Sequence, residues 1–490
     1  MKKLAFNPFL PLHEYIPDGE PHVLGDRLYL FGSHDREGGT QYCELDYVVW
    51  SAPLDDLADW RCEGEIYQAK QDPLWTAERR YMYAPDVVRG PDGRYYLYYS
   101  LEGAGEGMNG PISVAVCNEP AGRYLFYGIV QNPDGSVFRR YLPGDPAVIN
   151  DDGVIRLYYG WSLSMVAAAA HGQKTEATLP ASIPREQLIQ AEMMLFKRSR
   201  ENLMSETEDV MGANTVVLGD DMLTVSSDPV RIVPGQFAAA GTSFTGHAFY
   251  EASSIRKIGD LYYFIYSSEL SHELCYATSC EPDRNFVYGG TIISNGDVGY
   301  QGRLQADRLN MTANNHGSLV QVNGQWYVFY HRQTHNSTYS RQACAEPVTI
   351  GADGSIAQVE MTSCGLNGGP LPAYGQYPAA ICCNLTNGRM PHVTNRILAA
   401  DIPFIAHGEG QQHITNIKQG TLIGYKYFDF NGSVRLTLSV RGSGNGQFIV
   451  RSGEGEVGRI AVAPSEGWQD LSTLITARGV QALFLVYEGV

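Results

Sequence analysis

Five positions in this chain set polar side chains at matching places. Asp18 lies in Tyr15-Ile16-Pro17-Asp18-Gly19-Glu20-Pro21-His22-Val23, Asp86 in Ala84-Pro85-Asp86-Val87-Val88, and Asp145 in Gly144-Asp145-Pro146-Ala147-Val148. Glu251 lies in Phe249-Tyr250-Glu251-Ala252-Ser253-Ser254-Ile255-Arg256, and His316 in Asn314-Asn315-His316-Gly317-Ser318-Leu319. Most of these neighbours are apolar. An acid amid apolar neighbours costs free energy unless it is paired or used. One such Asp alone reads as a turn cap. A set recurring at one offset points instead to carboxyl groups that exchange protons with a bound substrate.

The elements that would position them form a repeat. A Gly/Asp/Asn turn is followed by an aromatic-rich run at Leu28–Ser33, Tyr95–Ser100, Val154–Gly160, Leu261–Ser267 and Gln325–His331. These are hairpin turns and strand formers. A second strand with its exit turn recurs at Tyr47–Pro53, Ile112–Pro120 and Leu274–Pro282. Leu28 to Tyr95 spans 67 positions, Tyr95 to Arg156 spans 61 and Tyr262 to Trp326 spans 64. Five such units predict an all-β chain built as a five-bladed β-propeller, with the acids at one end of its channel. Arg156 to Tyr262 spans 106 positions, which locates an insertion at about 162–209. Ala167 to Ala170, then Ser182 and Pro184, open a helical run there. Ile189, Met193 and Phe196 at i, i+4 and i+7 form its apolar face. It is either a surface decoration or a lid.

Residues 1–365 thus read as the propeller and 366–490 as a second domain. Gly365–Pro378 is rich in Gly and Pro and reads as the crossing between them. Val434, Leu436, Leu438 and Val440 alternate with polar residues. Runs at Phe448–Val450, Ile460–Val462 and Leu483–Tyr487 complete the short strands of a β-sandwich.

Composition narrows the partners. The net charge of −17 argues against nucleic acid and against anionic membranes. It leaves neutral sugars, which 31 Tyr, 17 Phe and 6 Trp could meet with ring faces. No window has the apolar length of a membrane span. In Met1–Leu12 the apolar run is broken by Asn7, Pro8 and Pro11, and nine scattered cysteines lack metal spacing. Both features lead to the expectation of a reducing, cytoplasmic setting.

These motifs resemble glycoside hydrolase family 43 over roughly residues 7 to 365. The most specific match is Phe249 to Lys257 with Tyr262-Tyr263 and Ser267-Ser268. Tyr330-His331-Arg332 is similar to the family's last-blade motif. The resemblance implies an inverting exo-glycosidase that removes α-L-arabinofuranosyl or β-D-xylosyl residues from oligosaccharides. Carried onto this chain, it makes Asp18 the general base, Glu251 the general acid and Asp86 the group that tunes and orients the acid. Asp145 is left structural. It gives Arg341 sugar hydroxyls to bind. It implies no required cofactor, but a calcium ion near His316 in the channel, where His316 also borders substrate. Gly424–Phe430 and Val440-Arg441-Gly442 resemble a family 6 carbohydrate-binding module, expected here to pack on the propeller. Three alternatives stay open: a sugar-binding propeller without catalysis, a galactan-cleaving or retaining hydrolase on the same scaffold, and an interaction scaffold.

Overall fold

The computed structural model describes residues 3–103, 110–164, 184–393, 398–408, 410–453 and 455–490. The helical signals at Ala167–Ala170 and Ser182 lie outside them.

Each repeat is a sheet in which successive strands are antiparallel neighbours. Blade one is β1 (Glu20–Leu24), β2 (Arg27–Phe31), β3 (Tyr47–Pro53) and β4 (Arg61–Tyr67). Blade two is β5 (Arg79–Arg89), β6 (Tyr95–Gly103), β7 (Ile112–Cys117) and β8 (Leu125–Ile129). Blade three is β9 (Ala147–Asp151), β10 (Val154–Trp161), β11 (Gly212–Leu218) and β12 (Val230–Pro234). Blade four is β13 (Phe249–Ile258), β14 (Leu261–Ser268), β15 (Glu273–Ser279) and β16 (Val287–Ser294). Blade five has three strands, β17 (Ser318–Val322), β18 (Gln325–Gln333) and β19 (Arg341–Val348). The aromatic-rich runs are the second strands, and their side chains fill the space between blades. Tyr98, Leu157 and Tyr159 share one apolar cluster, and Tyr158, Phe264 and Tyr266 share the next.

Blade five is completed from the other end of the chain. The Phe9 amide donates to the Ala343 carbonyl at 3.3 Å. The Asn7 side chain donates to the Ala345 carbonyl and accepts from its amide, both at 2.9 Å. A sheet edge left bare would expose unpaired backbone groups, and this clasp satisfies β19.

The insertion contains α1 (Arg185–Phe196) and α2 (Arg200–Met204). The expected apolar face is corrected in part. Ile189 and Phe196 are buried with Leu188, but Met193 is exposed. The buried position beside them belongs to Glu192, whose carboxylate accepts from the Val210 amide at 3.0 Å.

Beyond the propeller, β20 (Leu371–Pro372), β21 (Asn384–Thr386), β22 (Phe404–Gly408), β23 (Gln411–Thr415), β24 (Leu422–Gly442), β25 (Gly446–Ser452), β26 (Gly455–Val462) and β27 (Ser465–Gly489) follow. The main sheet runs β20-β24-β27-β25-β26, with β21 also on β24. The expectation of short strands fails for β24 and β27, which run 21 and 25 residues. Their alternation continues through Gly432 and Gly479, so no turn interrupts the pairing. The strands β22 and β23 contribute Ile405 and Ile414 to the same apolar cluster as Ile423, Val450 and Leu485. Leu4, Phe6 and Leu12 pack against that cluster too. Lys426 reaches back to Asp297 at 3.0 Å and Glu360 at 2.8 Å. Leu371, inside the expected Gly/Pro-rich crossing, is fully buried. No helix among the described residues is long and apolar enough to cross a membrane.

Candidate active site

Asp18, at the mouth of blade one, has a positive φ of 56°. An Asp tolerates this conformation better than most residues, yet such a φ still marks a constrained position. The residue is 4% exposed. Oδ1 accepts from Arg341 Nη1 at 2.8 Å, with His331 Nδ1 at 3.3 Å and His316 Nδ1 at 3.8 Å. The His331 ring has a fixed job. Its Nε2 lies 3.0 Å from the Asn314 carbonyl, to which it can only donate. Its Nδ1 then accepts the Asp18 amide at 3.2 Å, so the ring is neutral. Burial holds the His316 imidazole down to about 4, so that ring is neutral near pH 7 as well. The positive charge beside Asp18 is therefore Arg341. Burial opposes ionisation of Asp18, but Arg341 overcomes it and keeps the carboxyl far below the usual carboxylate range.

Arg341 is itself held rigidly. Its Nε and Nη2 donate to the two oxygens of Asp35 at 2.8 and 3.0 Å, and its guanidinium lies 4.6 Å from the centre of the Tyr42 ring. This fork leaves Arg341 almost without exposure.

Glu251 faces this cluster from blade four. The β13–β14 register slips on both sides of it, and Ala252 has a φ of 72°. Such an irregularity re-aims a side chain toward the channel mouth. Glu251 is half-buried, with Oε2 accepting from Trp161 Nε1 at 3.3 Å and Oε1 from the Asn314 side-chain amide at 3.4 Å. Burial first, and the charge of Asp18 second, push its carboxyl up to about 7.

The acid next to Glu251 is Asp145. Its Oδ2 accepts the Ala252 amide at 2.9 Å, it is 3% exposed, and its φ is 44°. Burial and then the Glu251 charge raise its carboxyl well above the ordinary range. Two such neighbours cannot both ionise easily, so the pair retains a proton as a unit near neutral pH. Glu251 is the member with solvent access.

Asp86 sits elsewhere. It accepts from His22 Nε2 at 2.8 Å and from the amides of Val87 and Val148, each at 2.7 Å. His22 lies four residues beyond Asp18, at about 3.3 Å of rise each down the channel wall. The β5–β6 register slips between Tyr83 and Asp86. The counterpart of Asp145 in blade two is Ala84, which shares its positive φ, at 40°. Counting back from the hairpins would have found this. Ala84, Asp145 and Glu251 each precede the aligned strand position (Tyr95, Arg156, Tyr262) by 11 residues, whereas Asp86 precedes it by 9. Asp35 and Trp161 were not singled out from sequence; Trp161 stands where other repeats end in Ser or His.

His316 offers a neutral ring nitrogen, but Arg341 shares its surroundings, and a guanidinium disfavours a cation there. Among the described residues, the channel atoms that could converge on an ion come from Glu20, His22 and Asp86, with Arg256 already on Glu20 at 2.7 Å. The residues around His316 do not fit a metal centre.

The sequence profile of glycosyl hydrolases family 43 matches residues 7–178 and 194–356. The chain belongs to that family. This family 43 chain is a glycoside hydrolase, and it is 43% identical, over all of its length and 97% of the relative's, to a xylosidase/arabinosidase of Thermoclostridium stercorarium. A family 43 enzyme of Xanthomonas citri solved with xylose shares the propeller fold, with a TM-score of 0.51 and 23% identity over 71% of this chain and 92% of that one. An exo-β-1,3-galactanase of Phanerochaete chrysosporium shares the fold over 99% of this chain and 96% of its own, with a TM-score of 0.51 and 12% identity.

Proposed function

We propose that this chain is an inverting exo-glycosidase that removes terminal β-D-xylosyl or α-L-arabinofuranosyl residues from oligosaccharides. The observation that carries this is one cluster in which an acid held ionised, Asp18, bears on an acid whose proton affinity is raised, Glu251. Asp18 takes a proton from water as it attacks the anomeric carbon, and Glu251 delivers one to the leaving oxygen on the opposite face. Asp145 takes the tuning role that sequence gave to Asp86, because it and Glu251 are neighbours that share a proton. Arg341 keeps Asp18 ionised and oriented, in place of the sugar contact expected from sequence. His316, a neutral ring beside the base, is the better candidate for a sugar hydroxyl. The full-length relative's name supports the sugar class. Nine thiols, none in a disulfide, support work in a reducing compartment.

Purified protein is expected to release xylose from xylobiose or arabinose from α-L-arabinofuranosides. Proton NMR of the first turnover should show the α-anomer from a β-xyloside. The β-anomer as first product would refute inversion. No release from either sugar class would refute the reading.

The tuning role has its own check. Asp145→Asn removes the carboxyl that shares a proton with Glu251. Glu251 works protonated, so the alkaline limb of the kcat/KM profile is expected to move to lower pH. Asp86→Asn should leave that limb in place.

A further inference from the structure

The general acid is braced from the end of a helix that the family profile covers only in part. The profile match stops at 178 and resumes at 194, so most of α1 lies outside it, while its last residue, Phe196, lies within. The helix is nevertheless locked to blade three. Leu188, Ile189 and Phe196 pack with Leu142, Leu203, Val210 and Met211. The helix ends at Lys197 in a left-handed turn, and Arg198 then donates to the Tyr141 carbonyl at 2.7 Å and to Glu206 at 3.2 Å. This anchoring fixes Phe196 against the edge of Trp161, with ring centres 5.8 Å apart at 86°. Trp161 also meets Tyr250, 6.0 Å away and tilted by 54°. The indole thus packs against two rings, and its Nε1 donates to Glu251 Oε2.

We propose that Phe196 is a positioning residue, which holds Trp161 so that its N–H fixes the Glu251 carboxyl for proton delivery. The proposal rests on the reading of Glu251 as general acid. Two ring contacts restrict the rotamers open to the indole, and a general acid displaced by about 1 Å loses much of its effect. The Trp161 bond also favours the ionised carboxylate, against the burial and Asp18 charge that favour the protonated form. The charged and titratable groups that bear on Glu251 are Asp18, Asp145, Arg341, Tyr250 and Tyr42. None of them changes when Phe196 is shortened.

The test compares leaving groups. Phe196→Ala, Phe196→Leu, Trp161→Phe and Glu251→Gln are assayed on xylobiose and on 2,4-dinitrophenyl β-D-xyloside, whose leaving group needs no proton. Phe196→Ala and Trp161→Phe should lower kcat on xylobiose about tenfold, with the dinitrophenyl substrate changed less than about twofold. Their alkaline limbs should move to higher pH, and Phe196→Leu should recover most of the loss. Trp161→Phe keeps the packing, so it decides the matter if Phe196→Ala does not fold. Equal losses on both substrates, or no loss, would overturn the proposal. Absence of the leaving-group signature in Glu251→Gln itself would remove Glu251 as the acid, and the proposal with it.

Discussion

Glu251→Gln is expected to lower kcat on xylobiose by about 10³-fold, within the range that a positioned general acid contributes. The substitution keeps the size of the side chain, and its one amide oxygen can still accept from either Trp161 or Asn314. It removes the transferable proton. The loss should therefore depend on the substrate. An alkoxide leaving group cannot depart unprotonated near neutral pH, whereas 2,4-dinitrophenolate can. Turnover of the dinitrophenyl xyloside should fall far less, and its dependence on pH above about 7, where the wild-type acid deprotonates, should disappear. The two substrates assayed side by side, with a thermal melt to confirm folding, give the result. Equal losses on both would mean that Glu251 acts in some other way.

The elements of this site were readable in sequence because blades are local. Each hairpin announces itself by its turn, and Tyr47–Pro53 was found at the bounds it has in the structure. Asp18 and Glu251, proposed here as base and acid, could be singled out because each enters a blade. Asp145, proposed here for the tuning role, reads in sequence as structural, since burial is not visible there. Asp86 has that role by the resemblance alone, and the slip after Tyr83 that sets it apart cannot be seen without pairing partners. A displacement of this kind changes which residue faces the channel. The contacts that matter most are remote in sequence: Asp18 to Arg341 is 323 residues, and Asp35 to Arg341 is 306. No local pattern encodes them. The closure of blade five by Asn7 and Phe9 is of the same kind. The buried face of α1 was misread at one position because Glu192, a polar residue, is buried on the strength of one backbone hydrogen bond.

Asp18→Asn should differ from Glu251→Gln in kind. Its expected cost is also about 10³-fold or more in kcat, but on both xylobiose and the dinitrophenyl xyloside. Water must be deprotonated whichever group leaves, and an amide accepts no proton. The Arg341 fork onto Asp35 persists, so the guanidinium keeps one carboxylate partner and the fold should survive. No pH within the stable range should restore activity, because the native Asp18 is ionised far below neutrality and the variant has nothing to titrate. In an inverting enzyme the attacking atom comes from solvent, so azide offered to Glu251→Ala, in which Asp18 is intact, should give no glycosyl azide of retained configuration from the dinitrophenyl xyloside. A retained glycosyl azide would show that a covalent intermediate had formed, and that Asp18 is a nucleophile. Across the pair, a loss that ignores the leaving group marks the base, and a loss that follows it marks the acid. On the proposed reading, the rigid charges around Asp18 and the shared proton at Glu251 and Asp145 divide these duties between two carboxyl groups before any sugar binds.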